Sequence, residues 1–143
     1  MATPKLSTSR KGKPMHSSVG AIIKKDDKYL LIDRVHEPFG FASLAGHIDE
    51  EETEIEAVKR EVEEESGLKI LSYKQVLEEE VHENKCHHGI NIHYWYVFEA
   101  DAFGEIKENH RETKSIGWYS KEQIKKLKLE PVWHHFFKKL KIV

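Results

Sequence analysis

The sequence predicts a single α+β domain. Three observations lead there. Short runs of apolar residues, some alternating with period two, mark strands on either side of the middle of the chain. One segment near residue 60 carries helix-start and helix-stop signals around an apolar stripe. Two further short helices are signalled at the C-terminal end. At 143 residues the chain has the length of one domain and is long enough to bury a core without disulfides.

The elements follow in order. Residues 1–15 (MATPKLSTSRKGKPM) are rich in Ser, Thr, Pro and Lys and show no periodicity. They are expected to be a flexible basic tail, with residues 16–143 forming the domain. Val19, Ala21, Ile22 and Ile23, then Tyr29 to Ile32, flank a polar Lys-Lys-Asp-Asp-Lys stretch, the pattern of a β-hairpin. Thr53 with Glu56 three residues later reads as a capping box. Ile55, Val58 and Val62 recur at helical spacing, and Gly67 stands where a left-handed glycine ends a helix. Residues 68–81 and 90–100 are expected to be strands. In the second, Ile92, Tyr94, Tyr96 and Phe98 share one face and read as core, with His93 and Trp95 on the other. Residues 116–119 form a short strand. Ser120 with Gln123 caps a short helix, and Pro131 suits the first position of a last one, in which His134 is expected to pack and His135 to face solvent.

Composition narrows the function. The longest apolar runs fall far short of the roughly 20 residues of a membrane span. No apolar segment follows Met1 as a secretory signal would. The single Cys86 admits no internal disulfide, which favours a reducing, cytoplasmic setting. The net charge of -2 hides an asymmetry: residues 46–66 hold ten acids and two bases, a local charge of -8. Within that segment Glu61, Glu64 and Glu65 stand at i, i+3 and i+4, so a helix brings three carboxylates into one arc of roughly 100°. Clustered like charges repel and destabilise the helix unless a cation intervenes. Carboxylate oxygens suit Mg²⁺, with Mn²⁺ the other ion that fits.

Glutamates are so frequent here that their spacing alone decides little. The other positions are more specific. The stretch reads Gly46, five residues, Glu52, seven residues, then Arg60-Glu61-Val62-Glu63-Glu64-Glu65-Ser66-Gly67-Leu68. It resembles, at every specified position, the signature of the Nudix hydrolases (MutT-like), G-x5-E-x7-R-E-U-x-E-E-x-G-U with U aliphatic. The resemblance implies the Nudix fold, a mixed central β-sheet between helices in an α/β/α sandwich. It implies a Mg²⁺-dependent pyrophosphohydrolase that cleaves the diphosphate of a nucleoside diphosphate linked to some group X. A nucleotide sugar, ADP-ribose, a dinucleoside polyphosphate or an NTP fits that description. Glu61, Glu64 and Glu65 are then metal ligands, joined by the backbone carbonyl of Ala45. Glu61 or Glu65 is the candidate to take a proton from the attacking water. Glu52 is a supporting carboxylate, and Arg60 orients a motif glutamate. Glu112, six residues before Trp118, matches the place of an extra loop acid in some members. The entry to the motif is Leu44-Ala45-Gly46 where Pro-Gly-Gly is common.

Substrate-binding candidates lie outside the motif. Phe41 stands where an aromatic is common and is equally suited to core; Phe39, Trp95 and Arg34 are the others. The expected partner is a small nucleotide, not a membrane and not nucleic acid, with the chain a monomer or homodimer. Two alternatives remain: a catalytically silent nucleotide sensor, and a pyrophosphohydrolase of RNA 5′ ends. His82, Cys86, His87, His88 and His93 invite a zinc reading, but they lack the usual C-x2-C or H-x3-H spacing and read as a polar hairpin loop.

Overall fold

The computed structural model describes residues 3–86, 88–111 and 113–143. Eight strands and three helices are present among them. The strands are β1 (Leu6–Thr8), β2 (Pro14–Lys25), β3 (Lys28–Arg34), β4 (Phe41–Ala42), β5 (Leu44–His47), β6 (Lys69–Val81), β7 (Ile92–Phe103) and β8 (Thr113–Ser120). The helices are α1 (Glu54–Ser66), α2 (Lys121–Ile124) and α3 (Pro131–Lys139). The long strand β2 is the centre. It pairs in parallel with β7, and antiparallel with β1, β3 and β5, so the sheet is mixed. β6 adds to β7, while β4 and β8 add to β3, all antiparallel.

Local chemistry explains the main elements. β2 and β3 meet at a two-residue turn in which Asp26 and Asp27 both have positive φ, 52° and 62°. Short polar side chains tolerate that geometry, and its twist matches the strands it joins. α1 starts at Thr53, whose side chain accepts from the Glu56 amide while Glu56 answers at the Thr53 amide. It ends at Gly67, left-handed at φ 79°. Pro131 opens α3. The elements read from the pattern are thus present, with boundaries shifted by a few residues.

Three expectations are revised. The described part of residues 1–15 is docked: Leu6 to Thr8 pair with β2, and Pro4 bridges Asp49. The Lys5 ammonium donates to the Glu52 carbonyl at 3.0 Å, so a basic segment lies along the acidic loop that leads into α1. On β7 both faces carry buried residues, not only the face of Tyr94 and Tyr96. Trp95 and His93 are more buried than Tyr94 and Tyr96, because α3 covers their side of the sheet. The Trp95 ring meets Trp133 and Phe136 edge-on at 5.8 and 5.3 Å. His134 is exposed; the buried face of α3 is Val132, Trp133, Phe136 and Phe137.

That aromatic cluster depends on one small residue. Gly20 of β2 lies under the Trp133 ring, where an added Cβ would stand 2.5 Å from two ring carbons. Gly20→Ala is therefore expected to lower stability by about 1–3 kcal/mol through overpacking. Urea midpoints would show it, and combining the change with Trp133→Leu should return part of the loss.

Glu130, just before α3, is an acid whose burial opposes folding. It is 4% exposed, and burial pushes its carboxyl up to about 7 despite the Arg34 guanidinium 3.7 Å away. Between about 4.5 and about 7 the unfolded chain ionises this group while the folded chain keeps it protonated, so stability falls as pH rises through that window. Glu130→Gln should be more stable than the parent above pH 7, by on the order of 1–3 kcal/mol. The difference should close toward pH 4.5, as thermal unfolding across pH would record.

Candidate active site

The acidic helix meets the sheet at the β5–α1 junction. Ala45 and Gly46 lie in β5, paired with Gly20 and Val19 of the central strand, so their backbone is fixed by the sheet. The Ala45 amide donates to Glu65 Oε1 at 2.7 Å, and Glu65 is 4% exposed. A carboxylate this buried needs such a donor. Gly46 is glycine for a steric reason: a Cβ there would collide with the Glu61 carboxyl group. The motif glycine and the motif glutamate are thus one packing unit.

Arg60 organises the rest. Its Nε and Nη2 reach the two oxygens of Glu52 at 2.8 and 2.9 Å, a two-point fork. Nη1 donates to Glu61 Oε1 at 2.7 Å and to Glu64 Oε2 at 3.3 Å. Nη2 also donates to the His47 carbonyl at 3.0 Å and lies 3.2 Å from Asp49 Oδ2. One guanidinium thereby faces four carboxylates. The hydrogen bond from Arg60 holds the Glu52 carboxyl below its usual range, and the same acids raise the Arg60 guanidinium above its own. Glu52 also accepts from the Asp49 amide at 2.9 Å, which closes the loop 49–52.

Apart from Glu52, which is held behind Arg60, these groups line an open cleft of about 440 Å³. Ala45, Gly46, Arg60, Glu61, Glu64 and Glu65 are on its walls, as are Arg34 and Trp95. Hard oxygen donors at Glu61, Glu64 and Glu65 on the walls of one cleft suit a divalent cation by their chemistry. Arg60 engages one oxygen each of Glu61 and Glu64. Glu64 is the most open of the three, with its side chain 56% exposed.

Not every expected residue gathers here. Phe41 packs its ring against Tyr119 at 5.7 Å, and Phe39 is exposed beneath the Lys114 ammonium; neither lines the cleft. Trp95 contributes a wall edge, with its indole N–H donated to Asn84 Oδ1 at 2.9 Å. Arg34 donates to the Pro38 carbonyl at 2.8 Å and points toward Glu130. Glu112 lies outside the described residues.

The cleft also holds residues that the motif does not name. Asp49 and the His47 carbonyl complete the Arg60 cradle, and Glu130 adds a buried acid. The only sequence signal for Glu130 is its place before Pro131. His47, Cys86, His88 and His93 also line the cleft. Burial, with His16 nearby, pushes the His93 imidazole down to about 4, so it is neutral across the physiological range. Among the described residues no helix is long and apolar enough to cross a membrane.

Comparison with known proteins agrees with this geometry. The chain is 32% identical over 103 residues to the NAD-capped RNA hydrolase NudC of Photorhabdus laumondii subsp. laumondii. That match spans 71% of the chain and only 38% of the relative. A MutT protein from Methanosarcina mazei Go1 shares the fold with a TM-score of 0.72 at 22% identity, over 89% of this chain and 93% of that one. The NUDIX domain of Shewanella oneidensis NrtR, solved with ADP ribose, gives 0.70 at 16% identity, over 87% and 85%. The model of the NUDIX domain matches residues 14–140, nearly the whole of the described fold, and the chain therefore belongs to the Nudix hydrolase family.

Proposed function

We propose that this Nudix hydrolase is a Mg²⁺-dependent pyrophosphohydrolase of nucleoside diphosphates linked to a group X. The observation that carries the reading is the set Glu61, Glu64 and Glu65 lining one open cleft, with Glu61 packed against Gly46, beside a full signature. Glu61, Glu64 and Glu65, with the Ala45 carbonyl, would hold the cation. When bound, Mg²⁺ supplies neutralisation of the charge that develops on phosphoryl oxygens.

The chain's own residues do the rest. Arg60 keeps Glu52 and Glu61 in fixed orientations, so little reorganisation is needed as the reaction proceeds. The Ala45 amide donates to Glu65 Oε1 and so fixes the orientation of that carboxylate at the cleft wall. Water attacks one phosphorus and gives its proton to Glu61 or Glu65, while the bridging P–O bond breaks and its oxygen leaves with the other phosphate. Arg34 stands at the cleft wall, where a guanidinium suits a second phosphate. The substrate classes that fit are nucleotide sugars, ADP-ribose, dinucleoside polyphosphates and NTPs. NAD-capped RNA joins them on the strength of the NudC relative, because NAD is itself a nucleoside diphosphate joined to a second group.

Turnover of such a panel with Mg²⁺ should release a nucleoside monophosphate or a phosphate product, and chelation should abolish it. Glu64→Gln should cost about 10³-fold or more in rate. Because the Glu64 side chain is exposed, the variant should fold like the parent, which circular dichroism would check. Ligand-induced stabilisation without product would instead favour a nucleotide sensor. Gly46→Ala should lower kcat/KM by about 10²-fold or more, because it displaces the Glu61 carboxylate by roughly an ångström. An unchanged rate in either variant would overturn the assignment.

A further inference from the structure

A second cluster of metal-ligating side chains stands against the same cleft. His16, His47, Cys86 and His93 each offer one ligand atom, and all four atoms lie within 4.8 Å of one another. They are far apart in sequence, and the register of the sheet brings them together. His16 of β2 is the direct partner of His93 on β7. His47 of β5 is the partner of Ser18, two residues along β2 and so on the same face. Cys86 comes from the β6–β7 connection. That loop is built, since the Cys86 amide donates to the Ile90 carbonyl at 3.1 Å and Gly89 donates back to Cys86 at 2.9 Å. Asn84 ties its base to the Trp95 indole.

Two of the spacings are close to those of a four-ligand site. His47 Nε2 and His93 Nε2 are 3.3 Å apart, and Cys86 Sγ and His16 Nδ1 are 3.8 Å apart. Around a tetrahedral zinc ion, bond lengths of about 2.0–2.1 Å to nitrogen and 2.3 Å to sulfur put ligand atoms roughly 3.4 Å (N to N) and 3.6 Å (N to S) from one another. Three imidazoles and a thiolate are borderline-soft donors, suited to Zn²⁺ and poorly matched to Mg²⁺. His16 and His93 are buried, at 6% and 2% exposure, while His47 and Cys86 are half-buried and give the ion a way in.

We propose that His16, His47, Cys86 and His93 bind one Zn²⁺. The ion would fasten the β6–β7 loop across the ends of β2, β5 and β7. It would also fix His47, whose carbonyl receives Arg60, so the zinc site and the acidic site share one backbone segment. The sequence alone points away from this site, because Cys86-His87-His88 lacks a zinc-binding spacing and two of the four ligands lie some 40 and 70 residues upstream.

The test is metal analysis of tag-free protein loaded with Zn²⁺ and dialysed free of loosely held metal, in the absence of substrate. One zinc per chain is expected. Cobalt substitution should give tetrahedral bands with a thiolate-to-cobalt absorption. Cys86→Ser should remove that absorption and weaken zinc binding on the order of 10²-fold. Because Cys86 is half-buried, this variant should fold like the parent. Glu64→Gln should keep its zinc, which separates this proposal from the pyrophosphohydrolase reading. Less than stoichiometric zinc in the parent, or full affinity in Cys86→Ser, would overturn it.

Discussion

The guanidinium of Arg60 is the contact on which the rest of the site depends. A helix and loop with a charge of -8 over 21 residues would push themselves apart. Arg60 meets Asp49, Glu52, Glu61 and Glu64 at once, and it also binds the His47 carbonyl. It therefore ties three pieces together: the end of β5, the loop 49–52 and the middle of α1. A lysine would offer one point charge where this geometry uses the planar fork, so the two residues are not equivalent here.

The sheet gives that contact something rigid to act against. β5 is held by the central strand β2, and the Ala45 amide of β5 holds Glu65. Gly46 leaves room for the Glu61 carboxyl. The acids are thus presented from one face of α1 onto a strand whose position is set by its neighbours. The docked N-terminal segment adds to this, since the Lys5 ammonium donates to the Glu52 carbonyl and the Glu50 amide donates to the Thr3 carbonyl at 2.9 Å. Positive charge outside the acidic segment is partly spent close to it.

Much of this was legible in the sequence, for local reasons. The capping box at Thr53 and the glycine at Gly67 are short-range signals, and α1 begins and ends where they stand. The motif residues fall together because a helix and an adjoining strand convert fixed spacing into fixed geometry. What was not legible depends on pairing over long distances. Phe41 could be core or binding surface until β8 brought Tyr119 against it. The two faces of β7 could not be ranked by burial without α3, which covers Trp95. Glu130 reads as an ordinary acid before a proline, and only the folded chain takes it out of water. The histidine–cysteine cluster is the extreme case, as its four members come from three strands and a loop.

We infer that the carboxylates held by Arg60 and Gly46 form a divalent-cation site. Titration with Mn²⁺ followed by electron paramagnetic resonance tests it most directly, with the histidine–cysteine cluster first filled with zinc. Uptake by the parent protein that Mg²⁺ displaces, and that is lost when Glu61, Glu64 and Glu65 are all replaced by glutamine, is the result the account requires. Undiminished Mn²⁺ uptake in that triple variant would contradict it.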